Sequence, residues 1–119
     1  MIDKVFADQF AWEWIEAWNS HDLDRVLAHY DDDFEMTSPR IVEVAGEPSG
    51  RLRGKEAVRA YWARALQRLP DLRFELVSTL AGMDSVTLYY KGAGGRLAAE
   101  VFHFGADRKV TRAHAHYAV

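Results

Sequence analysis

The stretch Leu97-Ala98-Ala99-Glu100-Val101-Phe102-His103-Phe104 constrains this chain most. It is apolar and aromatic, with Gly94-Gly95 before it and Gly105-Ala106-Asp107 after it, and so reads as a β-strand between turns. Side chains alternate along a strand, so Ala98, Glu100, Phe102 and Phe104 share one face. A carboxyl group in the middle of that face has two readings. If the face lines an interior, Glu100 is a buried acid with a raised pKa, of the kind that does acid–base chemistry. If the face is outer, Glu100 is an ordinary solvated or ion-paired side chain, the commoner state for glutamate. The surrounding elements favour the interior.

Residues 5–19 have the pattern of an amphipathic helix. Phe6, Phe10, Trp14 and Trp18 recur at four-residue spacing, joined by Ala7, Ala11 and Ala17, with Asp8, Gln9, Glu13 and Glu16 opposite. Trp12 falls among the polar residues, exposed or part of a subunit contact. Asn19-Ser20-His21-Asp22 ends this helix and opens a second over residues 22–30, whose apolar positions are Leu23, Val26, Leu27 and Tyr30. Asp31-Asp32-Asp33 reads as a solvated turn in preference to a metal site. Phe34–Ser38 alternates as a short strand stopped by Pro39. Residues 39–54 hold scattered Pro and Gly and read as a long loop, with room for a short strand at Ile41–Val44. Such loops often border sites, and Arg51 and Arg53 here face either solvent or an anionic group. A third helix, Lys55–Leu69, rests on Ala57, Val58, Tyr61, Trp62, Ala65, Leu66 and Leu69 and ends at Pro70.

Strands are expected at 72–81, 84–92, 97–104 and 109–118, with turns at Met83-Asp84 and Gly92–Gly95. Helices followed by an antiparallel meander predict an α+β fold, helices packed on one face of a curved sheet. In the last strand Thr111, Ala113, Ala115 and Tyr117 take one face, while Arg112, His114 and His116 take the other. A turn at Gly105–Arg108 sets Glu100 near Ala113 on the inner face and leaves His103, His114 and His116 outside. His114 and His116 have metal-ligand spacing, but two imidazoles do not complete a site, and this register keeps His103 too far away to join them. They read as wet or dimer-facing.

A length of 119 residues predicts a single domain. A net charge of −3 argues against nucleic acid or anionic membrane as partner. The lack of cysteine excludes disulfides, thiol catalysis and Cys-ligated metals. Without a signal-like N-terminus or a membrane-length apolar run, the expected location is cytoplasmic. Without a glycine-rich phosphate loop, HExxH or GxSxG, neither cofactor nor metal is expected. Four Trp, five Tyr and six Phe must fill something, either a core or a greasy pocket.

Asn19-Ser20-His21-Asp22-Leu23-Asp24, Tyr30-Asp31-Asp32-Asp33-Phe34 and Gly54-Lys55-Glu56-Ala57-Val58-Arg59-Ala60-Tyr61-Trp62 carry a family resemblance in their order and spacing. Over nearly its whole length the chain resembles the NTF2-like superfamily, in its SnoaL-like polyketide cyclase and ketosteroid isomerase-like branch. The resemblance implies a cystatin-like cone of three helices closed by a bent, mostly antiparallel sheet. It also implies an apolar pocket inside the cone and dimers through the outer sheet face. In the steroid isomerases a first-helix Tyr and a protonated late-strand Asp donate to the developing enolate oxygen, and a second Asp before a Pro moves the proton. Those positions correspond here to Trp14, Glu100 and Ser38, and the third-helix aromatic pair to Tyr61 and Trp62. Ser38 has no useful basicity, so steroid Δ-isomerase activity is not expected.

Three functions follow as expectations. In an enzyme of the cyclase, isomerase or hydratase kind, Glu100 is the general acid, with Trp14, Tyr61 and Ser38 orienting a substrate oxygen. In a non-catalytic binder of a hydrophobic small molecule, Trp14, Trp18, Phe34, Met36, Tyr61, Trp62, Phe102 and Tyr117 supply the surface and Glu100 one polar anchor. In a structural dimerisation module the aromatics fill a core, and Trp12 and the outer sheet face drive assembly.

Overall fold

Asp3 starts the first helix: its side chain accepts the Phe6 N–H at 2.8 Å, which satisfies a free donor of the first turn. The computed structural model describes residues 1–119. Helix α1 (Lys4–Asn19) buries Ala7, Phe10, Ala11, Trp14, Ile15, Ala17 and Trp18, and Trp12 stays exposed. His21 then takes a left-handed conformation, φ 59°, and reverses the chain. Helix α2 (Leu23–Leu27), capped by the Asp22 carboxylate, is shorter than its apolar pattern suggested.

It is shorter because Tyr30 belongs to a strand. β1 (Tyr30–Thr37) includes the acidic triplet, which is therefore not a turn. Tyr30 and Phe34 anchor it inward, while Asp32 and Asp33 point to solvent and cost the strand no burial. The next segment also departs from expectation. Ser38 accepts the Arg40 N–H at 3.1 Å and Pro39 occupies the first helical position, so Pro39–Ala45 is a helix, α3, instead of a loop with a strand at Ile41–Val44. Gly46, at φ 71°, ends it in the left-handed conformation that glycine adopts without strain. β2 (Arg51–Arg53) pairs with β1, and α4 (Lys55–Arg68) follows, burying Val58, Tyr61 and Trp62.

The remaining strands are β3 (Glu75–Ala81), β4 (Ser85–Lys91), β5 (Leu97–Phe104) and β6 (Val110–Tyr117). The sheet order is β2-β1-β6-β5-β4-β3; only the β1–β6 pair is parallel. The fold is thus α+β, with helices on a six-stranded mixed sheet, and it has four helices where three were expected. No helix is long and apolar enough to cross a membrane.

β5 alternates buried with half-buried residues throughout, and Ala98, Glu100, Phe102 and Phe104 face the helices. Glu100 pairs with Ala115 on β6, not Ala113, because the turn runs one residue further, setting Phe104 opposite Val110, and a bulge between His103 and Phe104 adds another. The offset is two residues, so the face assignment survives. His103 comes closer than that register allowed, its ring centroid 5.5 Å from that of His114 on the outer face. The His114 Nδ1 lies 2.7 Å from the Thr37 hydroxyl.

Candidate functional site

The Asn19-Ser20-His21-Asp22 motif works at a distance. The Asn19 amide oxygen accepts the Phe74 N–H at 2.7 Å, and its NH2 donates to the Phe74 carbonyl at 3.0 Å. The His21 Nε2–H donates to the Leu72 carbonyl at 2.8 Å. Residues 72–74 precede β3 and have no ladder partners of their own, so these contacts fix the segment against the end of α1. Leu72 and Phe74 thereby become one rim of a cavity between α1, α4 and the sheet.

The cavity holds about 60 Å³. Water occupies roughly 30 Å³ in the liquid, and drug-sized ligands fill about 300 Å³ or more, so this chamber admits a small compound or the end of a larger one. Leu69, Leu72, Phe74, Gly92 and Ala93 separate it from an open groove of about 610 Å³. On the other side Arg40, Arg96 and Tyr117 stand between it and an outer vestibule of about 320 Å³.

Glu100 sits on the wall, 3% exposed. The Tyr90 hydroxyl donates to its Oε1 at 3.4 Å, and Oε2 has no protein partner. Burial raises the Glu100 pKa from 4.5 to about 8, against the smaller opposing effect of the Tyr90 hydrogen bond. At neutral pH Glu100 is therefore mainly a neutral acid, able to donate its own proton. The Trp18 indole N–H, on the same wall, is likewise buried without a partner. Burial also raises the Tyr61 and Tyr117 hydroxyls above their ordinary range, so both remain neutral.

Of the residues named from sequence, Trp14, Trp18, Met36, Tyr61, Trp62, Glu100 and Tyr117 line the cavity. Three others do not. Phe34 packs between Tyr30 and Trp62, and Phe102 between Phe10 and Trp14, both without exposure. Ser38 lies behind the wall, its hydroxyl engaged in capping α3 and 3.5 Å from that of Tyr117. Nor is the Trp14 N–H free for a substrate, because it donates to the Tyr30 hydroxyl at 3.0 Å. Arg51 and Arg53 lie on β2 away from the cavity wall, and Arg51 pairs with Glu35.

Tyr90, Phe74, Arg40 and Arg96 are wall residues that the sequence reading missed. Tyr90 carried a usable signal, since Val86, Leu88 and Tyr90 alternate inward along β4. The arginines carried none: the Arg40 guanidinium lies 4.7 Å and that of Arg96 5.7 Å from the Tyr117 ring centre, positions set by tertiary packing.

Helices laid over a mixed sheet, with a small acid-bearing chamber between the layers, define a protein of the NTF2-like class. Within that class the chain belongs to the SnoaL-like domain family, whose profile matches residues 11–118. It is similar to a SnoaL-like protein of unknown function from Burkholderia thailandensis E264, with 65% identity, a TM-score of 0.95, and coverage of 99% of this chain and 98% of that one. AclR, a putative hydroxylase from Streptomyces galilaeus, is 19% identical with a TM-score of 0.75, covering 97% of this chain and 80% of that one. A putative polyketide cyclase from Sinorhizobium meliloti is 13% identical with a TM-score of 0.76, covering 97% of this chain and all (100%) of that one. At such identities the last two share the fold alone. No curated protein sequence matches the chain.

Proposed function

We propose that this protein binds a small, mostly apolar compound bearing a carbonyl or hydroxyl oxygen, with Glu100 in its neutral form as the hydrogen-bond donor and general acid. One observation carries this reading. The Glu100 Oε2 and the Trp18 N–H are both buried without partners, and both belong to side chains on the wall of one cavity. A buried polar group left unpaired costs about 1–3 kcal/mol, and a ligand oxygen placed between the two would recover part of that cost.

A neutral carboxylic acid aimed at a carbonyl oxygen polarises it, and one positioned acid is worth roughly 10²–10⁴-fold in rate. That suits a proton shift in a reactive compound, a step that a cyclase, the description of one protein sharing this fold, could use. A second reading, capture without turnover, is favoured by Ser38. It stands where the isomerase-like base would, has no useful basicity, and spends its hydroxyl on the cap of α3.

The test is a tryptophan-fluorescence titration at pH 7 with small cyclic ketones and phenols, on wild type and Glu100→Gln, followed by analysis of the recovered compound. Saturable quenching that weakens in the variant supports the site, and chemical change in the compound separates enzyme from binder. Quenching that Glu100→Gln leaves untouched, or no quenching at all, removes Glu100 from the function.

We also propose that a second copy of the chain covers the outer sheet face, which carries Leu80 (55% exposed) and Tyr89 (37%) on β3 and β4 and His103 and His114 on β5 and β6.

A further inference from the structure

The ligand's distal end is readable from two arginines that the binding reading above does not use. We propose that the compound carries a carboxylate, which Arg40 and Arg96 hold at the mouth while the uncharged oxygen-bearing end reaches inward to Glu100. This inference rests on the proposed function and specifies its substrate class as a small oxo- or hydroxy-carboxylic acid with an apolar body.

Arg40 comes from the first turn of α3 and Arg96 from the turn before β5, so two distant segments bring their guanidinium groups to one place. Both border the inner chamber and the outer vestibule. Both lie over the Tyr117 ring, with the guanidinium carbons 4.7 Å and 5.7 Å from its centre. Arg96 is fixed further by two hydrogen bonds to the Ala118 carbonyl, from Nε at 3.1 Å and Nη2 at 2.9 Å. A guanidinium held on an aromatic face has already lost much of its side-chain freedom, so less entropy remains to be lost when it meets an anion.

The charges are uncompensated. The chain's arginine–carboxylate pairs use Arg25, Arg51 and Arg59, and neither mouth arginine takes part in one. Glu43 is the acidic side chain of the vestibule and forms no ion pair with either arginine. Glu100 is mainly neutral at pH 7 and offers no balancing charge from within. The planar fork of arginine matches the two oxygens of a carboxylate, and the apolar wall strengthens that bond by holding water off one side. Arginines satisfied by water alone are the ordinary surface case; anchorage of both on one tyrosine at the entrance to a chamber distinguishes these two.

Isothermal titration calorimetry at pH 7 with the keto acids 4-oxopentanoate and 5-oxohexanoate, each against its primary amide, tests the inference. The proteins are wild type, R40Q/R96Q, R40K/R96K, E100Q, and R64Q as a control for loss of an exposed arginine away from the mouth. The acids are expected to bind wild type and R64Q about 10-fold more tightly than the amides, the size of one charge-assisted hydrogen bond. R40Q/R96Q should lose that preference while its amide affinity stays within about two-fold, a change too small to signal a lost contact. R40K/R96K should keep part of the preference, which separates loss of charge from loss of fold. Equal binding of acid and amide to wild type, or a preference that survives in R40Q/R96Q, overturns the inference and leaves the cavity reading standing if the amides bind and E100Q weakens them. Failure of every acid and amide to bind overturns both.

Discussion

Trp14 gives its indole N–H to the Tyr30 hydroxyl at 3.0 Å, so the residue standing at the first-helix donor position has no free donor left for a ligand. Both partners are buried, at 1% exposure. Tyr30→Phe would leave the Trp14 N–H unpaired in an apolar surround, at a cost of about 1–3 kcal/mol. The expected outcome is a lower urea midpoint with an unchanged m-value. If the proposed site is right, ligand affinity should change little, since Tyr30 does not line the cavity. A large loss of binding in a variant that remains folded would place Tyr30 in the site after all.

The raised pKa of Glu100 carries a stability prediction with a definite sign. In the folded protein its pKa is about 8, above the ordinary 4.5. The unfolded chain therefore releases this proton first as pH rises, and the folded state loses its advantage between those values. Below pH 4.5 the contribution is complete; it declines up to about pH 8 and then levels off. The slope attributable to this group approaches about 1.4 kcal/mol per pH unit in mid-window. Glu100→Gln should flatten urea-derived stability between pH 5 and pH 8 relative to wild type. Parallel profiles for the two proteins would show that Glu100 ionises normally in the fold.

Ligand affinity should follow the same titration. A compound that accepts the Glu100 proton binds the neutral acid, so its affinity should be flat below neutrality and fall as pH climbs through about 8. Repeating the titration with a neutral ketone avoids confusion with ionisation of the ligand. Glu100→Gln, which cannot ionise, should show weaker but level binding across the range. A wild-type profile that rises with pH would mean that the carboxylate, not the acid, is the binding form.

Much of this arrangement was legible in the sequence, and the exceptions have physical causes. The four-residue aromatic repeat from Phe6 to Trp18 and the alternation of β5 each bury one face, which is what periodicity reports. The position of Glu100 survived a register error because the error was two residues, an even step that keeps the face. The helix α3 was hidden because two Pro and three Gly are scattered through residues 39–54, although Ser38-Pro39 is itself a helix start. The acidic triplet was misplaced because its neighbours Tyr30 and Phe34, not the aspartates, decide the strand. Phe34 and Phe102 were named for the pocket because an inward face includes core and cavity alike; only packing against α1 and α4 separates them. The arginine mouth needs two segments, 56 residues apart by number, to meet on Tyr117, and no local pattern encodes that.

The outer sheet face carries a prediction about assembly. Leu80 and Tyr89 are exposed apolar side chains of that face, on β3 and β4. Sedimentation velocity should give twice the chain mass of 13.6 kDa for wild type and the single mass for Leu80→Lys. Wild type sedimenting as a monomer would remove the proposal.

Asn19 holds the rim of the cavity through Phe74 alone. Asn19→Ala removes both hydrogen bonds to Phe74 at once, leaving the His21–Leu72 contact as the remaining side-chain tie to residues 72–74. The net loss should be about 1–3 kcal/mol for the pair. Because these residues lie outside the ladder, the effect should be uneven: hydrogen exchange should quicken first at the Phe74 amide, ahead of β4 and β5. Leu72 and Phe74 also form the cavity wall, so ligand affinity should fall with the loss of order. Uniform acceleration across the sheet would show that Asn19 supports global stability, with no particular hold on the rim.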